Sequence, residues 1–311
     1  MLLIKSGGAA AVEEWRGHLA EFRPGMRAAA FDAPEAEAGE AEYALCWEPP
    51  RGWLASLPKL RAIFSIGAGV DHITDDPTWP RHVPLVRMGG EETGQRMGEY
   101  VAWACLSLLR NARTFALNQP AARWEYEPGE HTARERTVGI LGMGTLGAAS
   151  VPMLRGLGFA VRGWTRTPRA VPGAEVFAGR ESLDAFLGGT DILVCLLPAT
   201  AETNGIVDAG LIARLPRGAG VVNAGRGAHV VRPDLLAALD SGQLSGAVLD
   251  TFETEPLPPD DPVWTHPGVT VTPHVASIAR RRERARFVAD AIAAFEAGGA
   301  LPNLYDPVRG Y

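Results

Sequence analysis

At 311 residues, 46% of them hydrophobic, the chain is long enough for two ordinary domains with separate cores. A formal net charge of −6 argues against a nucleic-acid partner, and no uninterrupted apolar run approaches the ~20 residues of a membrane span, so no membrane partner is expected. Three isolated cysteines in apolar runs, Cys46, Cys105 and Cys195, read as reduced buried thiols, and no metal site is expected.

The chain opens directly into the apolar Leu2-Leu3-Ile4 without a charged leader segment, so a cytoplasmic location is the expectation. Residues 2–4, 43–47, 60–66 and 83–86 read as strands and 12–22 and 52–57 as helical, which makes a first, smaller α/β unit. The third strand empties into Gly67-Ala68-Gly69-Val70-Asp71. These glycines suit either an anion nest for a carboxylate or a tight strand-to-loop turn, and local sequence alone favours the turn. Residues 91–98 are polar with two glycines and read as a hinge. Residues 99–117 carry Val101, Cys105, Leu108 and Leu109 at helical spacing and read as a long helix crossing into a second domain, with a polar connection over 118–136.

Between 137 and 277, six short apolar runs end in chemically distinctive residues. Thr137–Leu141 runs into Gly142-Met143-Gly144-Thr145-Leu146-Gly147, and 159–164 into Thr165-Arg166-Thr167. The run 192–197 ends at Pro198, 219–222 at Asn223-Ala224-Gly225-Arg226-Gly227, 247–249 at Asp250, and Val269–Val271 just before Pro273-His274. Such runs read as parallel strands buried on both faces. Ligands of an open α/β sheet lie across the carboxyl ends of its strands. A charged helical pattern over 281–297 would return to cover the first unit. The expected organisation is therefore a substrate domain beginning with 1–97, a dinucleotide-binding domain over 98–279, and a C-terminal helix and tail over 280–311 that rejoin the first.

A lone G-x-G-x-x-G is weak in a chain with 36 glycines, but this one follows a strand and opens a helix, the context that gives it meaning. Gly142 permits the tight turn, Gly144 the approach of a pyrophosphate, and Gly147 close helix–sheet packing. Pro152 falls inside the following helix and should kink it or remove a hydrogen bond. An NAD site usually places an acid about 20 residues past the glycines. Here the position holds Thr165-Arg166-Thr167, and the next acid is Glu175, so a 2′-phosphate is not repelled and Arg166 with its flanking hydroxyls suits NADP.

Arg226 lies between glycines at a strand end, which leaves its guanidinium uncrowded. His274 follows a strand and a proline, and Glu255 falls in a proline-rich loop after Asp250. Taken singly, each is compatible with a structural role. An Arg, a carboxylate and a His on successive strand ends beside a nicotinamide together suit carbonyl reduction.

The order Gly142-x-Gly144-x-x-Gly147, Leu197-Pro198 with Thr200 and Thr203, Asn223 to Gly227, Asp250 to Glu255-Pro256, and Pro273-His274 resembles the D-isomer-specific 2-hydroxyacid dehydrogenases, with Gly67-Ala68-Gly69-Val70-Asp71 extending the likeness over nearly the whole chain. Tyr43-Ala44-Leu45-Cys46-Trp47-Glu48-Pro49-Pro50, Ala178-Gly179-Arg180-Glu181, His229-Val230-Val231, Pro256-Leu257-Pro258 and Arg309-Gly310-Tyr311 are similar to the glyoxylate/hydroxypyruvate reductase A branch. Gly225 stands where the family usually has Ala and Thr251 where it often has Val; neither change removes a functional group.

The resemblance implies a Rossmann-type doubly wound parallel sheet inserted into a smaller flavodoxin-like α/β domain, an active site in the cleft, and a homodimer. It implies that Arg226 binds the carboxylate of a 2-oxo acid and polarises its carbonyl, that His274 supplies the proton, and that Glu255 partners His274, where a neighbouring carboxylate stabilises the imidazolium. It places Leu197, Pro198, Thr203, Ala224, Asp250 and Ser277 along the cofactor, with Asp250 beside the nicotinamide carboxamide. It also makes the Gly67-Ala68-Gly69 loop a substrate-carboxylate loop, against the plain-turn reading, and Trp47 a pocket wall, though core packing suits Trp47 almost as well. The reading is an NADPH-preferring reductase, with NAD possible, that converts glyoxylate to glycolate and hydroxypyruvate to D-glycerate. Two alternatives stay open. One is another enzyme of the family, D-lactate-like or phosphoglycerate-like, the latter disfavoured because no regulatory domain follows residue 311. The other is a non-catalytic dinucleotide-sensing binding protein.

Overall fold

A computed structural model describes residues 1–34, 38–126 and 129–311. Residues 127 and 128 of the expected polar connection lie outside the described residues. The chain divides into two compact units, one joining Met1–Glu92 to Ile278–Tyr311 and the other the continuous Thr93–Ser277, whereas the sequence placed the cuts after residues 97 and 279.

In the first unit, β1 (Leu2–Lys5), β2 (Ala28–Ala30), β3 (Tyr43–Cys46), β4 (Ala62–Ser65) and β5 (Leu85–Val86) pair in parallel in the order β2-β1-β3-β4-β5. That is the flavodoxin-like order. Side chains alternate between two cores, as the period of two requires. Leu2, Ile4, Tyr43, Leu45 and Phe64 pack with the helices Ala9–Phe22 and Arg281–Glu296, while Leu3, Ala44, Cys46 and Ile63 pack with Leu54, Ile73 and Trp79. Val12, Trp15 and Leu19 make the buried stripe of the first of these helices. A large-to-small change in such a core, Phe64→Ala for example, costs about 3–5 kcal/mol. The expected helix over 52–57 is a single 3-10 turn, Leu54–Ser56.

The second unit holds β6 (Thr137–Leu141), β7 (Ala160–Thr165), β8 (Glu175–Ala178), β9 (Ile192–Cys195), β10 (Ala219–Asn223), β11 (Leu244–Leu249) and β12 (Val269–Val271). They run parallel in the order β12-β11-β10-β9-β6-β7-β8. This is the Rossmann arrangement with one further strand, and strand order reverses between β6 and β9. The sequence pattern does not announce β2 or β8. Both are sheet edges; Ala28–Ala30 has no large apolar residue and Glu175–Ala178 opens on a charged one, so pairing with β1 and β7 rather than their own pattern makes them strands.

The hinge expected over 91–98 is instead the first half of a continuous helix, Glu91–Leu109. Its glycines serve packing: a Cβ at Gly98 would lie 2.8 Å from Met153 Sδ and one at Gly94 3.2 Å from Ala149 Cβ, both on the helix Thr145–Leu157. The helix expected over 99–117 breaks at Asn111, in left-handed backbone at φ 52°, and resumes as Ala112–Asn118.

Candidate active site

The strand ends of the second unit carry most of the chemistry. After β6 the helix Thr145–Leu157 starts from Gly144 with no side-chain cap and no acid in its first turn, so its first N–H groups are open to an anion. Gly142 takes φ 98°, and a Cβ there would lie 2.8 Å from Leu196 O, at the exit of the neighbouring strand. At Gly147 a Cβ would lie 2.2 Å from Gly142 O, so helix and strand meet only because none is present; at Gly144 it would meet nothing within 4 Å. Thr145 is exposed and Leu146 half-buried. Met143 turns inward, filling the space over Gly163, where a Cβ would lie 2.3 Å from Met143 Cγ; only its backbone is left to the loop. The helix runs on through Pro152 without interruption.

At the end of β7, Thr165 is buried and its hydroxyl donates to Thr167 O at 2.9 Å, so that hydroxyl belongs to the turn. Arg166 and Thr167 are exposed, and Arg166 Nη1 lies 3.8 Å from Glu202 Oε2. An acid does reach this strand end, from a loop far away in sequence. In that loop Thr203 Oγ1 accepts from Thr200 N at 2.9 Å and donates to Pro198 O at 2.7 Å, while Leu197 is buried in the core.

The loop after β10 is held from several sides. Ala224 is buried and its N–H donates to Cys195 O at 3.2 Å. Asn223 Nδ2 donates to Arg226 O at 2.9 Å, and its Oδ1 accepts from Gly225 N at 3.3 Å. A Cβ on Gly227 would fall 1.9 Å from the backbone carbon of Phe252, so glycine lets this loop press against the segment leading to Glu255. Arg226 is half-buried, and its Nη1 donates to Gly225 O at 2.9 Å. The buried His229 accepts from Arg226 N through Nδ1 at 3.0 Å and donates through Nε2 to Pro198 O at 3.1 Å.

His274 and Glu255 meet: Nδ1 lies 2.7 Å from Glu255 Oε2, and Glu255 Oε1 accepts from Phe252 N at 2.8 Å. A carboxylate only accepts, so Nδ1 carries a proton and Nε2 is the ring nitrogen turned away from Glu255. His274 sits in left-handed backbone, φ 54°, a conformation that costs of order 1–3 kcal/mol at a non-glycine residue and persists only where neighbours impose it. Asp250 imposes it. The 1% exposed carboxylate accepts from Thr272 Oγ1 at 2.6 Å, Val275 N at 2.9 Å and Ala276 N at 2.9 Å, and its backbone O accepts from His274 N at 2.8 Å. Because Thr272 donates to Asp250, the Tyr100 hydroxyl 2.7 Å away donates to Thr272, and burial pushes the Tyr100 phenol well above its usual range. Ser277 follows directly, half-buried. Sequence reasoning missed Tyr100, Thr272, Asn223 and His229 as supports: Tyr100, Thr272 and His229 act on partners distant in the chain, and Asn223 folds its loop back on Gly225 and Arg226.

In the first unit, the Gly67-Ala68-Gly69 loop is built around buried Ser65. Its Oγ donates to Gly69 O at 2.8 Å and accepts from Gly67 N at 3.1 Å, with His72 Nε2 3.3 Å away. The Gly67 N–H is therefore spent within the loop. The Trp47 ring lies against His72, centroids 4.1 Å apart, and a Cβ on Gly67 would stand 3.1 Å from the indole. Trp47 is half-buried in this packing.

The family model for the NAD binding domain of D-isomer specific 2-hydroxyacid dehydrogenases matches residues 102–276. The whole chain is similar to a D-isomer specific 2-hydroxyacid dehydrogenase from Xanthobacter autotrophicus Py2, solved with NADPH and MES, at 40% identity over 100% of this chain and 99% of that one, with a TM-score of 0.92. The NADPH-dependent glyoxylate/hydroxypyruvate reductase of Sinorhizobium meliloti, solved with NADP and sulfate, matches at 39% identity over 100% and 99% of the two chains, TM-score 0.91. A probable 2-hydroxyacid dehydrogenase from Rhizobium etli CFN 42, solved with NADP, HEPES and L(+)-tartaric acid, matches at 36% identity over 100% and 98%, TM-score 0.90. A doubly wound sheet with a glycine turn at its switch point, a buried carboxylate steering a His–Glu pair, and full-length relatives of this kind together place the chain among the D-isomer-specific 2-hydroxyacid dehydrogenases.

Proposed function

We propose that this protein is an NADPH-preferring reductase of small 2-oxo acids, turning glyoxylate into glycolate and hydroxypyruvate into D-glycerate. The observation that carries the chemistry is the His274–Glu255 contact of 2.7 Å on a turn imposed by Asp250. Bound NADPH supplies the hydride to the carbonyl carbon. The imidazolium of His274 gives its Nε2 proton to the carbonyl oxygen and is left as the Nδ1–H tautomer, still bonded to Glu255. Arg226 presents a planar guanidinium, suited to a carboxylate and an adjacent carbonyl oxygen in a way that a lysine is not. The Ala68 and Gly69 N–H groups, without a partner among the described residues, are proposed as carboxylate donors within their own loop, and Trp47 as a wall that keeps bulky substrates out.

The open N-terminus of the helix Thr145–Leu157 fits a pyrophosphate, and the absence of an acid on Thr165-Arg166-Thr167 itself suits a 2′-phosphate held by Arg166. The relatives solved with NADPH or NADP support the same cofactor. Loss of NADPH absorbance on adding glyoxylate is the test. Expected are turnover of glyoxylate and hydroxypyruvate and a poor rate with 2-oxoisocaproate. A preference for the branched acid would overturn the substrate reading, and no turnover with any 2-oxo acid would overturn the reaction.

A cytoplasmic homodimer belongs to the same proposal. Three buried free thiols support a reducing compartment, and no helix among the described residues is long and apolar enough to cross a membrane. Trp124 is 99% and Tyr126 86% exposed, and the second unit also shows a groove walled by Trp103, Leu106, Met153 and Leu157. Exposed apolar surface of this kind suits a second copy of the chain. Sedimentation of a 33.1 kDa monomer at micromolar concentration would count against it.

A further inference from the structure

We infer that His229 is a positioning residue that ties the substrate arginine to the cofactor loop. The inference rests on the role proposed above for Arg226 and on the position along the cofactor that the family resemblance implies for Leu197, Pro198 and Thr203. His229 is 0% exposed, so both ring nitrogens must find partners inside the protein. Nδ1 accepts the N–H of Arg226 at 3.0 Å, which requires it to be unprotonated; Nε2 therefore carries the proton and gives it to Pro198 O at 3.1 Å. A charged ring would set a donor against the Arg226 N–H, so the geometry calls for the neutral Nε2–H tautomer. One rigid ring thus spans two loops that are distant in sequence.

The ring has no easy way to swing aside. On both sides of it the backbone is laced to residues 205–207: Gly205 N donates to Ala228 O at 2.7 Å, Val207 N to His229 O at 2.9 Å, and Val231 N to Val207 O at 3.1 Å. Pro198 O, at the far end, also takes the Thr203 hydroxyl at 2.7 Å. Below the ring lies Gly225, where a Cβ would come within 2.8 Å of Nδ1 and 3.0 Å of Cε1. The glycine at 225 is what leaves room for the imidazole. A displacement of the Pro198 carbonyl when cofactor binds is passed through the ring to the Arg226 amide, and the reverse.

The two bonds are separable. In His229→Asn the side-chain oxygen stands near the former Nδ1 and keeps an acceptor for Arg226, while the donor to Pro198 is lost. In His229→Gln the longer amide reaches the former Nε2 and keeps that donor, while the acceptor is lost. Fluorescence titration gives the NADPH Kd, and steady-state rates at saturating NADPH give KM and kcat for glyoxylate. For His229→Gln a roughly tenfold rise in glyoxylate KM is expected with NADPH Kd little changed; for His229→Asn the rise of about tenfold falls on NADPH Kd instead. Equal shifts of both quantities in both variants, or no shift in either, would overturn the inference. The unaltered protein gives a second reading that needs no variant to fold: nitrogen-15 histidine spectra at pH 7 should show His229 as the Nε2–H tautomer, and an Nδ1–H or doubly protonated ring would sink the proposal. Should glyoxylate not be reduced at all, the substrate reading falls, whereas the tautomer and the difference in NADPH affinity between the two variants still decide this one.

Discussion

The turn that carries His274 and the turn that carries Arg166 both leave the carboxyl ends of strands of one seven-stranded sheet, β12 and β7. The first is tied to a buried carboxylate by a hydroxyl and two backbone N–H groups, strongly enough to keep a histidine in left-handed backbone. In the second the Thr165 hydroxyl donates to Thr167 O, and the exposed Arg166 lies 3.8 Å from an exposed glutamate. The difference follows from the physics of the two tasks. Proton transfer needs a donor held within hydrogen-bond reach of one atom. Recognition of a phosphate by a guanidinium draws on charge and tolerates a side chain that settles only when the anion arrives.

If that contrast is right, variants of the rigid turn should act on rate and variants of the loose one on affinity. The largest effect is expected for His274→Ala, a fall in kcat of about 10²–10⁴ with NADPH Kd unchanged. A comparable loss in NADPH Kd would mean that the histidine binds cofactor rather than moving a proton. Next comes Asp250→Asn, which turns an amide N–H₂ towards a backbone or hydroxyl donor. Leaving such a buried group unsatisfied costs about 1–3 kcal/mol, and Tm should drop by about 2–4 °C for each kcal/mol. The kcat should fall with it, as the His274 turn loosens, and calorimetry beside rate measurement checks both. A normal kcat at a lowered Tm would show that the strained turn does not depend on this carboxylate.

At the loose end, Arg166→Ala should weaken NADPH by about ten- to a hundredfold while leaving NADH almost untouched. Equal weakening of both cofactors would move the 2′-phosphate site elsewhere. The smallest effect belongs to Glu202→Gln. An exposed ion pair contributes little, at most about 1 kcal/mol, so freeing Arg166 from it should tighten NADPH by no more than about fivefold, measurable by titration at low salt. Weaker binding on removing that acid would show that Glu202 orders the arginine instead of competing for it.

Much of this was legible in the residues alone. Apolar runs such as Thr137–Leu141 and Val269–Val271 are bounded by glycine, proline or polar residues, and the observed strands coincide with them. The turn at Gly142 and the contact at Gly147 are steric requirements within a few consecutive residues, so glycine at those positions reports them directly. Local pattern also suggested Arg226, Glu255 and His274 as a group, because each stands in a loop that follows a strand.

The tertiary structure decided what depends on partners far along the chain. Gly94 and Gly98 look like a hinge in sequence, and only the helix lying against them, with Ala149 and Met153, shows that they make room for it. Asp250 reads from sequence as a cofactor contact, and only the structure shows that its oxygens hold residues 272, 275 and 276. Edge strands Ala28–Ala30 and Glu175–Ala178 become strands through their neighbours, and His229 gains its meaning from Pro198 and Gly225. A residue's own chemistry and its nearest neighbours settle which conformations and reactions are open to it. Which of them is used is settled by hydrogen bonds and close contacts between segments that sequence order leaves far apart.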